Sequence, residues 1–189
     1  MSSVSAYAGS AGSNFFSAGS TAWSSVSNYT GAPNGAFALS GMTSGVESES
    51  LDGYNFNPGL PTGATVTGIE IIVTATKTNA TRAITFAGNE LQIGGVTGTP
   101  TTTNSNGTAL TTSTATYQFG SSTDLWGFSS GTLTAANINS ATESNCVWGC
   151  WFSGGASSSQ AECDSVQITI YYTAAVVIQQ MLGLLGVGS

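Results

Sequence analysis

The stretch Val66-Thr67-Gly68-Ile69-Glu70-Ile71-Ile72-Val73-Thr74-Ala75-Thr76-Lys77 decides the fold. Ile69, Ile71, Val73 and Ala75 alternate with Glu70, Ile72, Thr74 and Thr76. Side chains on a strand point to opposite faces at period two, so this alternation predicts a half-buried strand with one apolar face. Its β-branched content suits a pleated surface. Just ahead, Asn57-Pro58-Gly59-Leu60-Pro61-Thr62-Gly63 is a turn in which both prolines fix φ.

Two further stretches repeat the pattern. In Val166 to Tyr172, Val166, Ile168, Ile170 and Tyr172 share one face, and Gln167, Thr169 and Tyr171 the other. In Cys146 to Phe152, Cys146, Trp148, Cys150 and Phe152 share a face. Weaker strand signals fall at Phe37–Leu39, Ser48–Tyr54, Ala83–Phe86, Glu90–Ile93 and Thr116–Phe119. Residues Thr97 to Thr114 read as a long Thr/Asn/Gly loop. Short strands split by turn chemistry predict an all-β fold, an antiparallel β-sandwich of jelly-roll-like or Greek-key type.

The ends differ from this middle. Residues 1–35 are Ser, Ala and Gly interrupted by Phe15, Phe16, Trp23 and Tyr29. Such text predicts a low-complexity N-terminal arm, anchored on a surface by its aromatics or frayed. Residues 36–173 form the sandwich domain. Residues 174–189 are an apolar attachment segment, in which Val177, Met181, Leu184 and Leu185 fit a helical stripe. A helix of that length spans about 20 Å, short of the roughly 30 Å hydrocarbon core, so no membrane span is expected. The segment reads as a short helix or peg docking on its own sandwich or on a partner.

Composition excludes much chemistry. Of 189 residues, 6% are charged, with two Lys+Arg against nine Asp+Glu and no His. Imidazole triads, ligands and pH switches are therefore out. Lys77 and Arg82 make no basic surface for phosphates, so no direct nucleic-acid partner is expected. A soluble domain ordinarily carries about 25% charged residues. A chain so poor in charge reads as one that lives packed against neighbours, with a secreted, Thr-rich β-domain as the alternative. Residues 1–13 carry no basic region followed by an apolar one, so the expectation is a protein kept in a cytosol or released by lysis.

Candidate chemical groups are few. Cys146, Cys150 and Cys163 are odd in number and read as small buried hydrophobes, with a bond from Cys163 to either of the others left open. No metal and no cofactor are expected. Two carboxylate groupings, Glu47/Glu49/Asp52 and Glu143/Glu162/Asp164, lack the set separation that glycoside hydrolysis needs. Trp126, Trp148, Trp151, Tyr171 and Tyr172 read as core and subunit contacts, with a sugar-stacking platform as the alternative.

One order of motifs is more specific. Leu60-Pro61-Thr62-Gly63-Ala64-Thr65-Val66-Thr67-Gly68-Ile69-Glu70 comes first. Tyr117-Gln118-Phe119-Gly120-Ser121-Ser122-Thr123-Asp124-Leu125-Trp126-Gly127 follows, then Leu133-Thr134-Ala135-Ala136-Asn137-Ile138-Asn139. Last comes Cys163-Asp164-Ser165-Val166-Gln167-Ile168-Thr169-Ile170-Tyr171-Tyr172-Thr173. This order, over about residues 36–173, resembles a family of β-sandwich structural proteins of tailed bacteriophages. Ser140 to Trp151 departs from that family's pattern with a Cys- and Trp-rich strand.

The resemblance implies a virion component assembled in the host cytoplasm: a capsid decoration or cement protein, a head fibre, or part of the tail. It brings no catalytic residues, so no enzyme is expected. Its implied partners are other virion proteins and copies of the chain. The alternative is a tail- or fibre-associated carbohydrate-binding module for host-surface glycans. Asp124 and Trp126 are implied to be loop-structural, the Asp satisfying backbone N–H groups and the Trp plugging one end of the sandwich.

Overall fold

A computed structural model describes residues 1–17, 19–42, 45–154 and 159–175. Along the chain run β1 (Ser2–Tyr7), β2 (Ser10–Ser13), β3 (Trp23–Ser24), β4 (Ala38–Met42), β5 (Leu51–Tyr54) and β6 (Thr65–Lys77). Then come β7 (Ile84–Ile93), β8 (Val96–Gly98), β9 (Ala115–Ser121), α1 (Ala135–Ile138), β10 (Cys146–Gly154) and β11 (Ser159–Thr173). A 3₁₀ turn at Val26–Tyr29 lies between β3 and β4.

One sheet has the order β3-β4-β11-β6-β9, with β1 also paired to β11; the other has the order β2-β5-β10-β7-β8. The antiparallel pairs are nested: β4 with β11, β5 with β10, β6 with β9, and β7 with β8. That is one long hairpin, with its tip at Gly94–Gly95. Rolling it up brings β11 against β6 and β10 against β7. A hairpin rolled in this way is a jelly roll. The all-β antiparallel sandwich expected from the sequence is the one that forms.

The core is built by the faces read from the sequence. Ile69, Ile71, Val73 and Ala75 are fully buried, as are Val166, Ile168, Ile170, Cys146, Trp148, Cys150 and Phe152. Between the sheets Phe86 lies 4.5 Å from Phe152, 5.0 Å from Tyr117 and 5.3 Å from Phe119, centroid to centroid, and Phe119 lies 5.4 Å from Trp148. Tilted and edge-to-face aromatic pairs of this kind add to the stabilisation from buried area.

Several expectations need correction. Residues 1–35 are not a separate arm: β1 pairs with β11, β2 with β5 and β3 with β4. Their polar text hides the strands because edge strands bury little, and the main chain rather than an apolar face holds them. The signals at Ala83–Phe86 and Glu90–Ile93 belong to one strand, β7. The register of β7 with β10 shifts between Trp151 and Phe152, and that shift spoils the alternation. Strand β11 begins at Ser159, seven residues before the expected Val166, because its first half is polar and small. The expected C-terminal helix, with Val177, Met181, Leu184 and Leu185, lies outside the described residues.

Candidate functional site

All three aspartates are buried, and each ties a loop to the sandwich. Asp124 accepts the backbone N–H groups of Thr101 at 2.7 Å, Thr102 at 2.8 Å and Trp126 at 2.8 Å, and both threonine hydroxyls. Burial works to raise its pKa, but these donors outweigh it and hold the carboxyl below its ordinary value. Asp164 sits where the β11–β6 register shifts between Cys163 and Ser165. It accepts from the N–H groups of Asn34 and Gly35 at 3.0–3.2 Å, closing the approach to β4.

Asp52 accepts from the Phe15 N–H at 2.8 Å and the Ser50 hydroxyl at 3.2 Å. Its Oδ1 is buried with no hydrogen-bond partner. Burial pushes its pKa up from 3.8 to about 6; the two donors oppose the rise, and Glu143 and Glu49 add to it. Lys77 is buried as well, and its Nζ donates to the Arg82 carbonyl. Of the eleven charged side chains, only Glu47 and Arg82 are exposed.

The N-terminal aromatics divide. Trp23 and Tyr29 are in the core. The Trp23 Nε1 donates to the Glu49 carbonyl at 2.8 Å, and its ring lies 5.8 Å from Phe152. Phe15 and Phe16 pack edge to face at 4.9 Å, with Phe15 38% exposed. The Phe16 ring lies over Gly149, where a Cβ would come within 2.5 Å of it. Asp52 and Glu90 flank Gly149 in register on the outer face of that sheet. Phe16 thus fills the space above Gly149, between the two carboxylates.

At one end of the sandwich, Asn139 and Leu60 exchange two hydrogen bonds of 2.9 Å, side chain to backbone. They tie the Pro61 turn to the segment carrying α1, whose Thr134 N-cap accepts from the Asn137 N–H. Between these pieces is a groove of about 520 Å³, lined by Thr62, Gly63, Ala64, Leu133, Ala135 and Ala136 among others. No charged side chain lines it. The Ala175 Cβ stands at its rim, 3.3 Å from where a Cβ on Gly63 would be. The start of the apolar 174–189 segment therefore emerges beside an uncharged groove.

The remaining candidates are spread apart. Trp126 and Trp148 are buried in the core, Trp151 is on the outer face of one sheet and Tyr171 on the outer face of the other, beside Glu70. The five aromatics form no common platform. Cys146, Cys150 and Cys163 are buried free thiols. Burial pushes Cys146 up to about 12, and raises Cys150 well above its ordinary value, with Cys163 beside it adding to the rise. Among the described residues, no group of three or more His, Cys, Asp or Glu side chains is placed to hold a metal ion.

Sequence reasoning missed the clamping roles of Asp52 and Asp164. What fold and site define is an antiparallel jelly-roll sandwich with an exterior poor in charge. The chain matches no family model, no curated protein and no solved structure.

Proposed function

We propose that the chain is a non-enzymatic structural subunit of a tailed-phage virion, a capsid decoration or cement protein or a head-fibre component. It acts through contacts with its own copies and with other virion proteins. One observation carries the reading: the chain has only eleven charged side chains, of which four are buried and five half-buried, so the exterior of the jelly roll has little charge to hold copies apart. Jelly rolls recur in viral shells and in lectins, and the sequence motifs favour the shell. The groove beside Ala175 supplies an uncharged contact surface at the end where the attachment segment begins.

The test is mass spectrometry of gradient-purified particles. The expected result is this chain in fixed stoichiometry with the shell or tail proteins. Recovery in the soluble fraction alone overturns the proposal.

A glycan-binding role is the second reading. Trp151 favours it: the indole lies over Gly88, where a Cβ would be 2.1 Å from the ring, and its exposure is intermediate. Saturable binding on a glycan array, lost in Trp151→Ala, would establish it over the purely structural role.

A further inference from the structure

Strand β1 has a bonded side and an open side. It pairs with β11 in the register Ser2↔Tyr172 through Tyr7↔Gln167. The Ala8 N–H donates to the Val166 carbonyl at 3.0 Å, continuing that register. Opposed residues of an antiparallel ladder alternate between hydrogen-bonded and non-hydrogen-bonded pairs. Ala6, Val4 and Ser2 therefore direct their N–H and C=O groups to β11, while the Ala8 carbonyl accepts from the Gly31 N–H at 2.9 Å. Ser3, Ser5 and Tyr7 direct theirs away from it. The 2.8 Å contact of the Ser5 and Thr169 hydroxyls agrees, since side chains approach closest at non-hydrogen-bonded pairs. Among the described residues, no backbone group meets that outer row.

Sheet edges of this kind are normally guarded by charge, proline, a bulge or a covering loop. Residues 2–7, Ser-Ser-Val-Ser-Ala-Tyr, carry no charge and no proline, and the register with β11 has no shift over them. The far edge of the same sheet, β9, is guarded. There Gly120 N–H donates to the Thr103 carbonyl at 2.6 Å, the Ser105 hydroxyl donates to the Gln118 carbonyl at 2.8 Å, and Asn104 bridges to Phe119.

We propose that β1 pairs antiparallel with β1 of a second copy, fusing two six-stranded sheets across a two-fold axis. The outward row fits itself. With Ser5 facing Ser5 of the second copy, Ser3 faces Tyr7 on both sides, and every outward N–H and C=O of the three residues has a partner. Shifting by two residues in either direction leaves part of the row unpaired. No like charges meet across the axis. The inference deepens the assembly reading by naming one contact between copies, and it rests on that reading for its biological setting.

Sedimentation velocity of the full chain over a concentration series tests the pairing. The expected result is a reversible monomer–dimer equilibrium. Ser5→Pro deletes an outward N–H without touching the β11 ladder. Two hydrogen bonds are lost at the symmetric pair, so dimerisation should weaken roughly thirty-fold, while loss of the exposed Ser5–Thr169 hydroxyl contact should lower the melting temperature only slightly. Ser5→Lys and Ser5→Glu should each be monomeric alone, because residue 5 faces itself, and should form dimers when mixed. These two variants keep the test decisive if the proline variant misfolds. A wild-type chain that stays monomeric, a Ser5→Lys chain that dimerises like wild type, or a mixture that stays monomeric overturns the pairing. Particle stoichiometry is read separately, so a failure here is distinguishable from a failure of the virion reading.

Discussion

Trp126 and Ile69 are joined by a hydrogen bond of 2.9 Å from the indole Nε1 to the backbone carbonyl. The Ile69 N–H in turn donates to the Asp124 carbonyl at 2.8 Å. One residue of β6 is thus gripped at both backbone groups by the loop that follows β9. Trp126 adopts φ 56°, a left-handed conformation that costs a non-glycine residue energy. The Asp124 carboxylate, accepting the Trp126 N–H, holds it there.

Asp124→Ala removes the acceptor for three backbone N–H groups. The Trp126 N–H is buried, whereas Thr101 and Thr102 are exposed and can turn to water, so the loss should cost about 1–3 kcal/mol. Thermal denaturation should show a fall of roughly 2–12 °C for a chain of this size. A melting temperature within a degree of wild type would show that the clamp does not stabilise the fold.

Asp52 should give stability an opposite pH dependence. Its folded pKa is raised, from 3.8 to about 6. Its contribution is therefore fully present below about pH 4 and is lost as pH rises through about 6, a change of about 3 kcal/mol. Asp52→Asn should flatten that fall and raise stability at pH 7. Asp124, whose pKa is lowered, contributes stability that is present above pH 3.8 and is lost as pH falls through its folded value. Urea titrations from pH 3 to 8 separate the two, and an unchanged slope between pH 4 and 6 in Asp52→Asn contradicts the assignment.

Gly149→Ala should dislodge the segment before β3. Its Cβ would lie 2.3 Å from Asp52 Oδ1 and 2.5 Å from the Phe16 ring. Overpacking of this kind costs about 1–3 kcal/mol. Limited proteolysis should cut near residues 14–17 faster than in wild type, with the rest of the sandwich intact. Equal cutting rates would show that the segment accommodates a methyl group.

The three thiols should be inert until the chain unfolds. They are buried, and Cys146 and Cys150 have raised pKa values, so little reactive thiolate is present at neutral pH. A soluble disulfide reagent should titrate none in native protein and three in denaturant. Rapid native labelling would mean that the sandwich opens locally.

Removal of residues 174–189 should leave a folded sandwich that fails to join particles. β11 ends at Thr173, so the truncation spares every described strand. Circular dichroism and particle binding assay the two halves of the prediction. Normal occupancy by the truncated chain would show that attachment lies elsewhere.

The amino-acid order by itself determined the fold class and the faces of its central strands. One face of β6, of β10 and of the second half of β11 builds the core, and a core-facing side writes a period-two apolar pattern into the text. It also determined the scarcity of charge. Only the tertiary structure decided how residues 1–35 fit. Their strands bury little and are held by main-chain hydrogen bonds, which any sequence without proline can make, so no side-chain pattern marks them. The same holds for Asp52, Asp124 and Asp164. Each answers N–H groups far away in sequence, and those partners come together only when the hairpin rolls up. The open edge of β1 was likewise invisible, because it is the order of strands, and not their composition, that leaves one row of backbone groups without a neighbour.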